Sequence, residues 1–100
     1  MNIPYIKDPT FEWDEDKNLS NLEKHNVGFE KALNAFLDKN RVILTDAKHS
    51  SDTEKRYYCV GKINNEICTV RFVVRDQVIR IIGAAYWRKE RKIYEKINQK

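Results

Sequence analysis

The chain has 100 residues and a mass of 11.9 kDa, with 41% hydrophobic and 34% charged residues. That size predicts one domain, and three Gly and two Pro exclude collagen-like and Gly/Pro-rich low-complexity classes. The net charge of +4 is unevenly spread: residues 1–50 hold seven Lys/Arg and nine Asp/Glu, residues 51–100 twelve and six. A basic C-terminal half points to a polyanionic partner, most often nucleic acid, over the alternative of an ordinary solvated surface.

No apolar run reaches membrane-spanning length. Met1-Asn2-Ile3-Pro4-Tyr5 lacks the basic and apolar blocks of a signal peptide, so a cytoplasmic location is expected. Cys59 and Cys68 fit no zinc spacing or disulfide framework and read as two small buried apolar side chains.

Residues 1–9 carry both prolines and read as an arm, with a single domain over 10–100. Thr10–Trp13 alternates apolar and polar and predicts a short strand. Asp14 is a helix cap, followed by Glu15 and Asp16, where the dipole favours negative charge. That helix ends near His25-Asn26. A second helix carries Phe29, Ala32, Leu33, Phe36 and Leu37 at helical spacing. Arg41–Thr45 reads as a strand and Asp46–Thr53 as a loop. Arg56–Ile63 and Ile67–Arg75 are strands joined by a tight turn, and Val78–Ile82 follows a turn at Asp76-Gln77, with Gly83 ending it. Tyr86–Ile97 is helical and basic. The order β-α-α-β-β-β-β-α predicts an α+β fold with a mainly antiparallel sheet.

Two-residue hairpin loops fix a register. One sheet face then collects Tyr57, Cys59, Gly61, Ile63, Cys68, Val70, Phe72, Val74, Ile79 and Ile81, almost wholly apolar. The other carries Arg56, Val73 and Arg80 in one row and Tyr58, Arg71 and Ile82 in the next. Arg56 and Arg80 would stand about 10 Å apart at the backbone, close enough to converge on one phosphate or on neighbouring ones.

Three separated segments form an ordered set. The first is Phe11-Glu12-Trp13-Asp14 with Lys17, Asn21, Lys24-His25, Val27 and Phe29-Glu30. The second is Asp46, His49-Ser50, Glu54, Arg56 and Gly61. The third is Ile79–Ala84 with Glu90-Arg91 and Tyr94. Together they resemble the BrnT family of bacterial toxins. The resemblance covers roughly residues 11–95. It implies a RelE-like fold and a ribonuclease that blocks translation; separately, the sequence shows no metal-ligand cluster or Gly-rich phosphate loop, so a mechanism without a metal or other cofactor is the simpler expectation. It also implies a BrnA-type antitoxin, a heterotetrameric complex, and DNA contact only through that complex. Ala85 stands where many relatives carry an arginine, which raises the alternative of an attenuated, non-catalytic RNA- or antitoxin-binding protein. Arg88 is the candidate to supply the missing charge.

Metal-free RNA cleavage needs a base for the 2′-OH, cations for the phosphorane and an acid for the leaving oxygen. Arg56 and Arg80 suit the second task, since arginine offers a rigid donor fork. His49 and Glu54 are the candidate bases. His49 also fits a turn residue, and Glu54 also fits an ion pair with Arg56. Trp13, Tyr58, Arg71 and Arg88 are candidate RNA contacts, with Trp13 equally a core aromatic. His25 reads as a helix-end cation.

Overall fold

The computed structural model describes residues 9–99. The arm expected over residues 1–9 therefore lies almost wholly outside the described residues. Five strands form one sheet, β1 (Thr10–Glu12), β2 (Val42–Thr45), β3 (Arg56–Ile63), β4 (Glu66–Arg75) and β5 (Val78–Ala85), in the spatial order β1-β5-β4-β3-β2. All neighbours are antiparallel except β1 and β5, which run parallel. With α1 (Glu15–His25), α2 (Phe29–Ala32, continued as a 3₁₀ turn over Leu33–Leu37) and α3 (Arg88–Ile97), the fold is α+β, as expected.

The inner sheet face is dry. Tyr57, Cys59, Cys68, Val70, Phe72, Ile79 and Ile81 pack against Val27, Phe29, Ala32 and Ala35 of the α1–α2 segment and its 3₁₀ turn. An aromatic ladder runs through this layer: Phe11 to Phe36 at 5.1 Å, Phe36 to Phe72 at 5.3 Å and Phe72 to Tyr57 at 5.4 Å between centroids. Burial pushes both thiols up to about 12, so Cys59 and Cys68 stay protonated packing groups.

Short polar side chains fix α1. Asp14 caps its N-terminus by accepting from the Lys17 N–H, and Asn26 closes its C-terminus in the left-handed region at φ 58°. Where β1 ends, the free edge of β5 would leave backbone groups unpaired. The buried Asn21 side chain takes them instead. Its Nδ2 donates to the carbonyls of Val27 (2.8 Å) and Ala84 (2.9 Å), and its Oδ1 accepts from the Ala84 N–H.

The β3–β4 register matches the sequence reading, and the Arg56–Val73–Arg80 row is formed. Two corrections concern β5. It does not end at Gly83 but continues to Ala85, because a bulge opposite Arg71 shifts the pairing by one residue. Arg71 consequently faces Gly83 and not Ile82. Gly83 leaves the space that the Arg71 guanidinium fills: a Cβ there would lie 2.6 Å from Arg71 Nη2. The last helix accordingly begins at Arg88 and not at Tyr86.

The outer face is not wholly open either. α3 lies over its upper end, where Tyr94 packs with Val42 and Val60. Thr69 and Ala85, paired across β4 and β5, are buried in the same row. The lower rows carry the arginines, which are half-buried.

Candidate active site

The lowest row of the outer face crosses all five strands. Asp46 extends β2 by donating its N–H to the Arg56 carbonyl at 2.8 Å. Arg56 then pairs with Val73, Val73 with Arg80, and Arg80 with Glu12 of β1. Two carboxylates thus flank two guanidinium groups, with buried Val73 between the arginines.

The loop after β2 is tied down by its own side chains. The Ser50 hydroxyl donates to the Asp46 carbonyl (2.7 Å) and accepts from the Arg56 N–H (2.8 Å). This turn brings His49 back onto Asp46. The His49 N–H donates to Asp46 Oδ1 at 3.3 Å, and its ring Nδ1 sits 2.8 Å from Oδ2. Burial acts to raise the Asp46 carboxyl, but the hydrogen bonds from the His49 ring and N–H outweigh it and hold it below its ordinary range. Asp46 is therefore an acceptor at neutral pH. Nδ1–H therefore donates to Asp46, which fixes the ring and turns Nε2 away from the carboxylate. Asp46 is 8% exposed and the His49 side chain 50%, so an oriented, half-exposed imidazole is held by the residue whose N–H bonds the Arg56 carbonyl.

The remaining predicted residues divide. Tyr58 lies in the next row, paired with Arg71, and its hydroxyl contributes to holding Asp46 ionised. Burial, then the charge of Asp46 and the hydrogen bond to it, raise the Tyr58 pKa, with Glu90 adding to the effect. Tyr58 stays a neutral O–H donor. Arg80 is held by Glu12 at 2.9 Å. Arg56 enters no ion pair among the described residues. Glu54 does not pair with Arg56 as one reading expected. It takes Arg75, 2.7 Å from Nη2 and 2.9 Å from Nε, because the β3–β4 register places Arg75 opposite it.

Trp13 is not brought to this face. Its ring packs edge-on to Phe29 at 6.1 Å and its Nε1 donates to Glu15. Arg88 is also elsewhere, at the β3–β4 hairpin end, lining a cleft with Glu66 and Ile67. Ala85 is 1% exposed in the row beneath α3, away from the arginine row. The sequence reading missed Asp46 as the residue that orients His49. Its signal was the Asp-x-x-His spacing directly after a strand, which an Asx turn folds back on itself. Glu90 was also missed, a buried carboxylate in the first turn of α3. Among the described residues no three His, Cys, Asp or Glu side chains form a metal-binding group.

An open sheet face with an oriented imidazole and adjacent guanidinium groups is suited to acting on a phosphodiester. Residues 13–90 match the family described as "Ribonuclease toxin, BrnT, of type II toxin-antitoxin system". The chain belongs to the BrnT toxin family. Membership implies a ribonuclease toxin with an RNA target and an antitoxin partner. No curated protein matches the chain significantly. No helix among the described residues is long and apolar enough to cross a membrane.

Proposed function

We propose that residues 10–100 form a single toxin domain that cleaves RNA as a metal-independent endoribonuclease in the cytoplasm, using the lowest row of the outer sheet face. His49 Nε2 removes the proton from a ribose 2′-OH. The 2′-oxygen attacks the adjacent phosphorus, and the bond to the 5′-oxygen breaks, leaving a 2′,3′-cyclic phosphate. The departing oxygen is protonated from the open, solvated side. Arg56, without a carboxylate partner among the described residues, takes the charge that builds on the phosphorane, and Arg80 supports it from two strands away. Tyr58, whose hydroxyl proton goes to Asp46, supports the base from behind by helping to hold that carboxylate ionised. Glu54, neutralised by Arg75, is not the base.

The observation that carries this reading is the 2.8 Å contact between His49 Nδ1 and Asp46 Oδ2, which orients the ring and keeps Nε2 outside that pair on a half-exposed side chain. The burial of Ala85 supports an active enzyme, because the departure from the family pattern lies under α3 and not among the arginines. The antitoxin is of the BrnA type, in a heterotetramer that reaches DNA through the antitoxin.

The test is cleavage of RNA by the purified chain in excess EDTA, with 5′ ends mapped. Cyclic-phosphate products that vanish in His49→Ala and Arg56→Ala are expected. Products unchanged in both variants would overturn the site, and activity lost in EDTA would overturn metal independence.

A further inference from the structure

A second cationic feature lies beside the arginine row. α1 runs along the edge of β5 beyond the end of β1, held there by Asn21. Between α1 and the outer sheet face opens a recess of about 190 Å³. Lys17, Ser20, Lys24 and His25 line it from α1, and Arg71 and Ile82 from the sheet. The acidic residues of α1 that line no part of it, Asp16 and Glu23 among them, leave the recess side of the helix basic. None of Lys17, Lys24, His25 or Arg71 forms an ion pair among the described residues.

Arg71 is preorganised. Its guanidinium carbon sits 5.5 Å from the centre of the Trp87 ring, and its Nη2 occupies the space over Gly83 that a side chain would fill. Its Nε is buried without a hydrogen-bond partner. The same Trp87 ring meets His25 edge-on at 6.2 Å, so one aromatic holds both Arg71 and His25 in place. Holding a guanidinium in place beforehand lowers the ordering cost of binding an anion.

Position supplies the ligand. Ile82 follows Arg80 by two residues on the same strand and face, so the recess opens about 7 Å from the arginine row, on the order of one nucleotide step. The charge is a cluster of several donors continuous with a row already suited to phosphate, which matches a chain of regularly spaced anions better than a single carboxylate. We propose that this recess binds an RNA phosphodiester next to the one cleaved, and so helps set which stretch of strand the enzyme holds. The assignment rests on the ribonuclease reading above.

The test uses the full chain carrying His49→Ala and a 2′-O-methyl RNA hexamer, which cannot cyclise, with the matching dinucleotide as the short probe. The hexamer is expected to bind more tightly, and Lys17→Ala with Lys24→Ala to shrink that advantage. The slope of log affinity against log salt should fall by about 0.7 for each phosphate that a variant no longer neutralises, across sequences alike. Gly83→Ala, which keeps every charge but displaces the Arg71 guanidinium, should reproduce the loss. Unchanged hexamer affinity and slope in these variants, with cleavage by the parent chain still dependent on His49 and Arg56, would overturn the recess and leave the ribonuclease standing. A parent chain that never cleaves RNA, yet binds the hexamer with a slope that these variants reduce, would overturn the ribonuclease and keep the recess as an RNA phosphate site. No hexamer binding by the parent chain would overturn both.

Discussion

Asp46 Oδ2 lies 2.8 Å from His49 Nδ1, and the two belong to one turn whose Ser50 hydroxyl also fixes the start of β3. The carboxylate settles the tautomer and the turn settles the direction of the ring. Replacing His49 by Ala should lower the cleavage rate about 10²–10⁴-fold, the usual worth of a general base, and added imidazole should restore part of it. Asp46→Asn should lower kcat while leaving KM nearly unchanged, because the ring loses its orientation and not its place beside the RNA. Steady-state kinetics on a short RNA check both.

The two arginines differ in what holds them. Arg80 is paired with Glu12 at 2.9 Å, whereas Arg56 has no acidic partner among the described residues. Arg56→Ala should cost about 2.7–4 kcal/mol of transition-state stabilisation, as for a missing oxyanion donor. Glu12→Gln should tighten RNA binding by releasing Arg80. Its effect on folding should stay within about 1 kcal/mol, since the pair is partly exposed. Kinetics for the first and a binding isotherm with a melting curve for the second decide the matter.

Much of this arrangement was legible in the chain because the β-hairpins are short. Two-residue loops leave one register that separates Cys59, Val70 and Phe72 from Arg56 and Arg80. The bulge at β5 was not legible, since it is a matter of pairing between two strands, where the Arg71 guanidinium lies over Gly83. The parallel pairing of a three-residue β1 with β5 joins segments nearly seventy residues apart and has no local signal. The cover that α3 gives the outer face was hidden because its inward side carries Glu90 as well as Tyr94. The Asp46–His49 pair was half legible: the histidine stood out as a base, and Asp46 matched the family pattern without being assigned a role beside it.

The β4–β5 turn invites a stabilising change. Asp76 and Gln77 both have positive φ, 51° and 70°. That is the turn type that matches strand twist, and it prefers Asp-Gly or Asn-Gly. Gln77 carries a Cβ in a region that costs L-residues about 1–2 kcal/mol. Gln77→Gly should therefore stabilise the fold by about 0.5–1 kcal/mol once its greater unfolded-state entropy is counted. A rise in Tm checks it.

Two hydrogen-bonded groups give the fold opposite pH limits. Tyr94 of α3 donates to Asp38 Oδ2, which also accepts the Lys62 N–H. Burial, then the bond to Asp38 and its charge, push Tyr94 from 10.0 up to about 12. Its contribution is thus full below pH 10 and lost as pH rises through about 12. Burial works to raise Asp38, but the Tyr94 bond and the backbone donors prevail and hold it below 3.8. Its contribution is present above pH 3.8 and lost as pH falls further. Tyr94→Phe should cost about 1.5–3 kcal/mol at neutral pH, as for a hydrogen bond to a charged group. It should also flatten both limbs of the stability profile, which urea melts across pH would show.

Gly61 and Gly83 predict opposite outcomes for the same substitution. At Gly61 a Cβ would lie 2.2 Å from the Ala35 carbonyl oxygen and 2.9 Å from its carbonyl carbon. These are backbone atoms of the 3₁₀ turn that covers β3, in the layer that buries Cys59 and Phe72. The turn would have to lift off the sheet, and overpacking of this kind costs about 1–3 kcal/mol or more. At Gly83 the obstructing atoms are the far end of the Arg71 side chain, which can rotate away. Alanine also gains about 0.5–1 kcal/mol over glycine inside a strand by restricting the unfolded chain. Gly61→Ala should therefore lower Tm sharply while Gly83→Ala leaves it nearly unchanged, and only the second should alter RNA affinity through a folded protein. Melting curves of the two variants side by side separate these cases. A tolerated Gly61→Ala would mean that the 3₁₀ turn rests on β3 less tightly than the burial of Ala35 and Cys59 requires.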